Sequence, residues 1–348
     1  MGSRQVNILG IETSCDETAA AVVADGRVVK SSVVASQTDL HEKYGGVVPE
    51  IASRAHIEKI YPVLAEALNA AKVTRNDIDA VAVANQPGLT IALVVGVTAA
   101  KALSFAWEKP LIAVNHLHAH LQSAMLADSA CGELELPAVA LIVSGGHTCL
   151  YQCRSPLELR LLGSTNDDAA GEAFDKVAAI LSLPYPGGPS IEKVAATGNP
   201  RAVEFPRSML GPDSLDFSFS GIKTAVLYYC RGQDMKGEDR VGSMSQQEIA
   251  DIAASFQAAV VEVLVKKTRR AVRKTRARTV LLGGGVAANT ALRQAMERMC
   301  QSSTPPIRLL VAAKRYCTDN AVMVASLAYY KYKAGLFADL SLEARATG

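Results

Sequence analysis

The segment ILGIETSCDETAAAVV (residues 8–23) decides the fold, because the segment AVALIVSGGHTCLY (residues 138–151) repeats its pattern. In both, a β-branched strand runs into small polar and glycine residues and then into a second strand. This pattern is typical of a hairpin whose tip presents backbone amides and hydroxyls. Two such hairpins about 130 residues apart predict two related lobes. Each tip is suited to hold a phosphate, so we expect a ligand in a cleft between the lobes.

The composition is that of a globular chain with enough apolar residues for two cores. The 348 residues are 49% hydrophobic and 20% charged, and the formal net charge is +2. A charge this small gives no overall nucleic-acid signal, so a polyanion site must come from a local patch. The run KKTRRAVRKTRAR (266–278) holds eight Lys or Arg and no acid. It predicts either a solvated helix face or a polyanion-binding surface.

The cysteines and the hydropathy of the chain indicate its expected cellular location. Seven cysteines at irregular spacing make a poor disulfide framework, which favours a reduced, cytoplasmic location. Cys149 and Cys153 fall on a predicted strand, where a four-residue step separates the Cα atoms by about 13 Å, too far to share an ion. The most apolar stretch, TIALVVGVTAA (90–100), is expected to be a buried helix too short to span a bilayer. We therefore expect no membrane association.

Strands alternate with helices along the chain, which predicts a mixed α/β protein. A linker is expected at 127–137, dividing a first lobe (1–130 plus 321–348) from a second (131–320). In the second lobe we expect a helix from about Asp167 to Leu181 and an irregular stretch at 199–243. Ser245 and Glu248 form a capping box that predicts the start of a long helix.

Three histidines in NHLHAHLQ suggest a metal site. His116 and His120 are four residues apart, so on a helix both imidazoles lie on one face while His118 points to the far side. Asp319 in CTDN is a candidate third ligand, although Asp at a helix start is commonly an N-cap. Leu117 follows His116, so the general base of an HExxH metalloprotease is missing.

The segment DDAAGEAFDKV (167–177) places several acids on one predicted helix face. Asp168, Glu172 and Asp175 follow the steps i, i+4 and i+7, and like charges stacked this way need a neutralising group. A ribose, an ammonium group or a metal would serve, or the face is simply solvated. The triple glycine of LLGGGVAANTALR permits close approach of a ligand to a helix N-terminus, but lacks a dinucleotide or P-loop spacing.

Together these runs resemble one family, the tRNA N6-adenosine threonylcarbamoyltransferases (TsaD), formerly described as O-sialoglycoprotein endopeptidases. The matching strings are GIETSCDETA, YGGVVPEIASRAH, NHLHAHL, VSGGHT, DDAAGEAFDKVA, YPGGP, FSFSGIKTAV, GGGVAAN and CTDNA, in order from residue 8 to about 330. The resemblance implies the two-lobed actin-like ATPase fold (ASKHA), with duplicated mixed-sheet subdomains and a cleft between the lobes.

The resemblance also implies residue roles. One metal, iron or sometimes zinc, would be bound by His116, His120 and Asp319. Threonylcarbamoyl-adenylate or an adenine nucleotide would contact a set of residues in the second lobe: Ile142, Val143, Ser144, Gly145, Gly146, Asp175, Gly188, Glu192 and Asn289. Two positions depart from relatives. Ile142 stands where some archaeal members have a tyrosine metal ligand, and Glu192 stands where many bacterial members have Asp.

The implied activity is transfer of threonylcarbamoyl from its adenylate to N6 of the adenosine 3′ of the anticodon in tRNAs reading codons that begin with A. Asp16 and Glu17, at the first hairpin tip, are candidates to orient the attacking amine or take its proton. The implied partners are tRNA, a paralogous actin-fold subunit and a P-loop ATPase. A nucleotide-binding scaffold without activity is the main alternative; a small-molecule kinase or a metalloprotease fits less well.

Overall fold

The computed structural model describes residues 4–126, 135–232 and 240–347. The chain forms two compact units, Met1–Gly132 with Thr318–Gly348, and Glu133–Cys317. These bounds lie two to three residues from the division expected from sequence. The difference matters because Asp319 belongs to the first unit, which also contains His116 and His120. The expected linker at 127–137 falls mostly outside the described residues.

The first unit is built on a five-stranded sheet with the order β3-β2-β1-β4-β5. Its strands are β1 (Asn7–Glu12), β2 (Glu17–Ala24), β3 (Val28–Ser36), β4 (Ala80–Gln86) and β5 (Leu111–Asn115). Its helices are α1 (Thr38–Glu42), α2 (Pro49–Ala71), α3 (Thr90–Trp107), α4 (His116–Leu126) and the last helix of the chain, α10 (Ala321–Lys333). The first three strands pair antiparallel, and β1, β4 and β5 run parallel.

The second unit repeats this arrangement. Its strands are β6 (Ala138–Val143), β7 (Thr148–Cys153), β8 (Leu159–Ser164), β9 (Thr279–Gly283) and β10 (Arg308–Val311), in the order β10-β9-β6-β7-β8. Its helices are α5 (Ala170–Ile180), α6 (Gly187–Ala195), α7 (Ser220–Arg231), α8 (Gln246–Thr275) and α9 (Thr290–Gln301). Read from the other edge, the order matches the first sheet strand for strand. The duplication predicted from the two hairpins is confirmed.

Each unit has its own apolar core, and close packing at glycine brings functional segments together. In the first unit, α10 lies against β1 so tightly that a Cβ on Gly10 would be 2.5 Å from the Ala321 carbonyl oxygen. Only glycine permits this approach. The N-terminus of α10, with Asp319 just before it, is thereby held beside the strand that ends in Glu12.

Helix α3 is longer than the apolar stretch that marks it in the sequence. Within the described residues it is 18 residues long with mean hydropathy 1.6, enough by length and composition to cross a membrane, and a third of it is buried. The expectation that this helix is too short to span a bilayer is therefore corrected. The helix packs against α2 and β4, as a helix covering a sheet does. Ile91, Val94 and Phe105 remain exposed on it.

Two further expectations are corrected in the second unit. Helix α5 begins at Ala170 rather than Asp167, because the Asp167 carboxylate instead accepts hydrogen bonds from Ser218, Phe219 and Ser220. These bonds hold the start of α7, a helix within the stretch expected to be irregular. The capping box of Ser245 and Glu248 is present at the start of α8, as predicted.

Candidate metal centre and glycine-rich loops

Helix α4 places two imidazoles beside one carboxylate. It starts directly after β5, and Asn115 Oδ1 accepts from the His118 backbone amide, which caps the helix. The rings of His116 and His120 lie 4.7 Å apart between centroids. Asp319 Oδ1 is 3.1 Å from His120 Nε2 and 3.6 Å from His116 Nε2. The three predicted ligands therefore converge on one point.

Glu12 orients the first of these ligands. Its side chain is fully buried at the end of β1, and Oε2 lies 3.0 Å from His116 Nδ1. Its other oxygen accepts from the Ser14 amide at 2.6 Å. A carboxylate at Nδ1 fixes the imidazole so that Nε2 faces Asp319, the usual arrangement of a metal-binding histidine. Sequence reasoning missed Glu12; the available signal was an acid ending a wholly buried strand.

Negative charge is concentrated around these imidazoles. Burial disfavours the imidazolium of His116, but Asp319 and Glu12 outweigh it and raise the pKa to about 9. Burial, Asp319 and Asp16 together raise the pKa of Glu17 well above its usual value. His118 differs, because burial and then Lys331 lower its pKa. The surrounding carboxylates thus favour positive charge at His116, whereas the surroundings of His118 do not.

This donor set fits a divalent ion. The ligand atoms lie within 4.8 Å of one another. Ligands about 2.1 Å from a tetrahedral ion are separated from each other by about 3.4 Å. The two nitrogen-to-oxygen distances, 3.1 and 3.6 Å, bracket that value. Two imidazoles and one carboxylate suit iron or zinc and leave coordination positions for other ligands.

The first hairpin tip, residues 13–17, borders this centre. Burial and then Asp16 and Asp319 raise the pKa of the Cys15 thiol well above its usual value, which keeps the thiol protonated. The contact that places the tip beside the centre is that of Ser14 Oγ, which lies 3.0 Å from His116 Nδ1. Asp319 acts electrostatically on two further residues of the tip, Cys15 and Glu17.

The second hairpin tip meets the start of α5. The carbonyls of Ser144 and Gly145 accept from the amides of Gly171 and Glu172, both at 3.1 Å. A Cβ on Gly171 would be 2.6 Å from the Ser144 carbonyl oxygen, whereas one on Gly145 or Gly146 would meet nothing within 4 Å. The two tip glycines thus leave open space. Ile142 and Val143 are fully buried strand residues, so any ligand contact of theirs is through the backbone.

Asp175 connects two helices. Its Oδ1 accepts from the Gly187 amide at 2.7 Å, at the start of α6. Gly187 packs against the α5 backbone, with a virtual Cβ 2.5 Å from the Asp175 Cα. The next residue, Gly188, has no atom within 4 Å of its own virtual Cβ. The start of α6 is therefore fixed at Gly187 and open at Gly188.

Glu192 and Asn289 meet at the start of α9. Glu192 Oε1 accepts from the Thr290 amide at 2.8 Å, and Asn289 Oδ1 accepts from the Leu292 amide at 3.0 Å. Asn289 Nδ2 also donates to Gln257 Oε1 at 2.7 Å. The structure thus brings together Glu192, Asn289 and Gln257, and sequence reasoning did not find Gln257.

The three acids that were predicted to share one helix face have different partners in the structure. Asp168 precedes α5, and its carboxylate lies 2.7 Å from Lys176 Nζ and 2.9 Å from Lys223 Nζ. Glu172 also pairs with Lys176, at 2.8 Å. Ammonium groups neutralise these two acids, one of the alternatives left open, so only Asp175 remains a ligand candidate.

The basic run 266–278 contains side chains that hold a loop and side chains that are exposed. Lys267 is fully buried, and its Nζ donates to the carbonyls of Met209 and Ser214 at 3.0 and 3.3 Å. Arg270 donates to the carbonyls of Gly211 and Ser214. These two side chains hold the loop 209–214. The other six basic residues of the run are exposed: Lys266, Arg269, Arg273, Lys274, Arg276 and Arg278.

Comparison with solved structures defines the class of the fold. Full-length HypF in its phosphate- and nucleotide-bound form aligns with a TM-score of 0.60 at 15% identity, covering 96% of this chain and 47% of HypF. Component A of the (R)-2-hydroxyglutaryl-CoA dehydratase of Acidaminococcus fermentans aligns with a TM-score of 0.52 at 15% identity, covering 94% and 99% of the two chains. The duplicated sheets and these neighbours give the chain an actin-like ATPase fold.

Sequence comparison identifies the family within that class. The model of the family described as TsaD, tRNA N6-adenosine threonylcarbamoyltransferase, matches residues 28–326. The protein of that name from Symbiobacterium thermophilum is 54% identical over 338 residues, covering 97% of this chain and 95% of the relative. The one from Moorella thermoacetica is 52% identical over 340 residues, covering 98% and 96%. The chain belongs to the tRNA N6-adenosine threonylcarbamoyltransferase family and is a transferase.

Proposed function

We propose that this chain transfers the threonylcarbamoyl group from threonylcarbamoyl-AMP to N6 of the adenosine 3′ of the anticodon, in tRNAs that read codons beginning with A. The observation that carries the proposal is family membership over residues 28–326. The convergence of two imidazoles and a carboxylate beside an acidic hairpin tip supports it, because acyl transfer needs a polarised carbonyl and a proton acceptor.

The reaction breaks one bond and forms another. The N6 amine attacks the carbonyl carbon of the threonylcarbamoyl group, a C–N bond forms, the C–O bond to the phosphate breaks, and AMP leaves. His116, His120 and Asp319 would hold a divalent ion, iron or zinc, which supplies Lewis-acid polarisation of substrate oxygens. Glu12 keeps His116 in the orientation that this binding needs.

The amine loses a proton in this reaction, and the hairpin tip offers two acceptors, Asp16 and Glu17. Burial, Asp319 and Asp16 raise the pKa of Glu17. Its carboxylate is therefore a stronger base than that of an ordinary glutamate. We assign proton acceptance to Glu17 and orientation of the amine to Asp16. Glu17→Gln should lower the rate of transfer while metal content stays unchanged.

The adenylate moiety is assigned to the second unit. Backbone amides around Ser144–Gly146 would hold the phosphate, and open space at Gly188 beside Glu192 and Asn289 suits the nucleoside. Because Asn289 also caps α9, its capping and binding roles must be separated. Asn289→Asp keeps the capping oxygen but loses the amide donor, so both it and Asn289→Ala should weaken AMP binding in calorimetry, while only Asn289→Ala should lower the melting temperature appreciably. Unchanged affinity in both variants would place the nucleotide elsewhere.

The exposed part of the basic run is assigned to tRNA phosphates. Arg269 and Arg273 are four residues apart on α8 and share one face. Reversing both charges should raise the tRNA concentration needed for transfer and flatten its salt dependence, because phosphate contacts release counterions. The matched control reverses Arg160 and Arg201, exposed residues of the same unit outside the run. Equal effects of both pairs would point to a general charge effect and refute this assignment.

Two protein partners are proposed from the family resemblance, a paralogous actin-fold subunit and a P-loop ATPase, all acting in the cytoplasm. The exposed apolar residues of α2 and α3 offer a surface for the paralogous subunit: Ile57, Tyr61, Val94 and Phe105. Such side chains are unusual on a free surface when clustered. Tyr61→Asp should weaken the complex in size-exclusion chromatography without changing metal content.

The decisive assay combines the metal-loaded protein, its bacterial partners, a synthase that makes the adenylate, threonine, bicarbonate, ATP and unmodified tRNA. Nucleoside mass spectrometry should detect N6-threonylcarbamoyladenosine. An active relative is run in parallel. Absence of the product in the sample alone would overturn the enzymatic proposal and favour a nucleotide-binding scaffold.

A further inference from the structure

Three consecutive carbonyl groups of the first hairpin tip are held by three different parts of the first unit. The Ser14 carbonyl accepts from the Leu89 amide at 2.8 Å, and the Asp16 carbonyl accepts from the Gln37 amide at 3.1 Å. Between them, the Cys15 carbonyl lies 3.0 Å from His56 Nε2. Only the middle contact uses a side chain, so a substitution can remove it without changing the backbone.

His56 is fully buried on α2 and is the centre of a polar network. Its Nδ1 lies 2.8 Å from Thr18 Oγ1 and 3.3 Å from Gln37 Nε2. Gln37 Oε1 in turn lies 3.3 Å from His41 Nε2, and the Val48 amide donates to His41 Nδ1 at 3.3 Å. The network therefore connects the segment 37–48 to the hairpin tip.

The backbone groups at the two ends of this network fix the tautomers of both histidines. A carbonyl only accepts, so His56 Nε2 carries a hydrogen, and in the neutral ring Nδ1 accepts. At the other end an amide only donates, so His41 Nδ1 accepts and its Nε2 donates to Gln37 Oε1. Gln37 Nε2 then points at His56 Nδ1 as a donor, which agrees with the first assignment. Burial lowers the pKa of His56 and keeps the ring neutral.

The geometry points to His56 as a positioning residue that holds the Cys15 carbonyl, and through it the side chains of Asp16 and Glu17, in the orientation needed for acyl transfer. This inference rests on the proposed function. Neither the metal-ligand pattern nor the glycine-rich loops involve His56. Its contact is to the backbone immediately before the two carboxyls, so loss of the contact should change their direction.

Two substitutions separate positioning from packing. His56→Gln keeps a donor near the position of Nε2, whereas His56→Leu fills similar space without one. We expect His56→Leu to lower kcat about 10–100-fold, the usual cost of misplacing a reacting group. The KM for tRNA and the bound metal should stay within about twofold, and His56→Gln should recover most of kcat. Ser31→Ala is the matched control, because it removes a buried bond to the Val22 amide in the same sheet without touching the tip.

A second measurement does not depend on activity. Hydrogen exchange of a peptide spanning residues 13–18 should accelerate in His56→Leu and remain near wild type in His56→Gln and Ser31→Ala. If the unmodified protein makes no product while exchange behaves as stated, the proposed function fails and the positioning of the tip stands. If the unmodified protein is active and His56→Leu matches His56→Gln in kcat or in exchange, the inference about His56 is wrong.

Discussion

Replacing Glu12 with Gln should weaken metal binding in a way that depends on pH. The substitution keeps the shape of a fully buried side chain and an oxygen that can still accept from the Ser14 amide. It removes the negative charge 3.0 Å from His116 Nδ1. The substitution changes metal affinity in two opposite ways. The imidazole is oriented less firmly, which weakens metal binding, and it holds its proton less tightly, which favours metal binding.

The magnitudes can be worked out for each effect. With the pKa of His116 near 9, the metal-free site is protonated at pH 7, and metal must displace that proton. Two pH units correspond to about 100-fold in apparent affinity, roughly 2.7 kcal/mol. Loss of an orienting carboxylate typically costs about 10–100-fold in intrinsic affinity. If the variant lowers the pKa of His116 by one unit, the metal has less proton competition at pH 7, and about tenfold of the lost affinity is recovered there. At pH 9 there is little proton to displace, so none of the loss is recovered.

The assay is a titration with Zn²⁺ against a competing chelator from pH 6 to pH 9. For the wild type, apparent affinity should rise about tenfold per pH unit and level off near pH 9. For Glu12→Gln, the plateau should begin at lower pH and lie about 10–100-fold below that of the wild type. Glu58→Gln, the same change at an exposed position of α2, should reproduce the wild-type curve.

The metal-free protein gives an independent check. A raised pKa on His116 contributes stability that is fully present below pH 6.5 and is lost as the pH rises through about 9. The shift corresponds to about 3 kcal/mol as an upper magnitude. Denaturant unfolding should therefore show a decline across this window that is smaller in Glu12→Gln. Parallel curves for the two proteins, in both metal titration and unfolding, would refute the role of Glu12.

Three further predictions concern the second unit. Lys267→Met should lower the free energy of unfolding by about 1–3 kcal/mol, because two loop carbonyls lose their buried donor, while Lys274→Met on the exposed face should be nearly neutral in urea titrations. Gly284→Ala should cost about 1–3 kcal/mol or more, because φ is +91° and the new Cβ would lie 2.4 Å from a carbonyl oxygen; Gly285→Ala, with open space around it, is the control. Asp167→Asn should lose up to about 1 kcal/mol, limited by exposure. Hydrogen bonds outweigh burial and hold the pKa of Asp167 below its usual value, so that contribution is present above about pH 4 and should vanish as the pH falls through the lowered pKa.

Much of the fold could be predicted from the sequence because the strands carry strong periodic signals. The two hairpins predicted a duplicated architecture, and the sheets have matching strand orders. Helix α7 was missed because its first turn, at Ser220, is stabilised by Asp167, which is 53 residues earlier in the chain. Local propensity contains no information about such a long-range cap.

The metal ligands were also predictable, since two of them lie four residues apart on one helix and the third stands at the start of another. The role of Glu12 was not, because its partner His116 is 104 residues away, and an acid that ends a buried strand does not by itself indicate which side chain it orients. The same limit applies to His56. Its string PEIASRAH predicts a helix, but only the tertiary structure brings its ring to the Cys15 carbonyl.

Side-chain type alone also cannot separate a ligand contact from a cap or a loop anchor. Asp175, Glu192 and Asn289 each accept from the first turn of a helix, so each has a structural role whether or not a nucleotide is bound. Lys267 belongs to a basic run but donates to carbonyls inside the second unit. A substitution at such a position changes folding and binding together. Variants that keep the capping oxygen, such as Asn289→Asp, are therefore the ones whose affinities report on the ligand, and alanine scans of this unit would confuse the two effects.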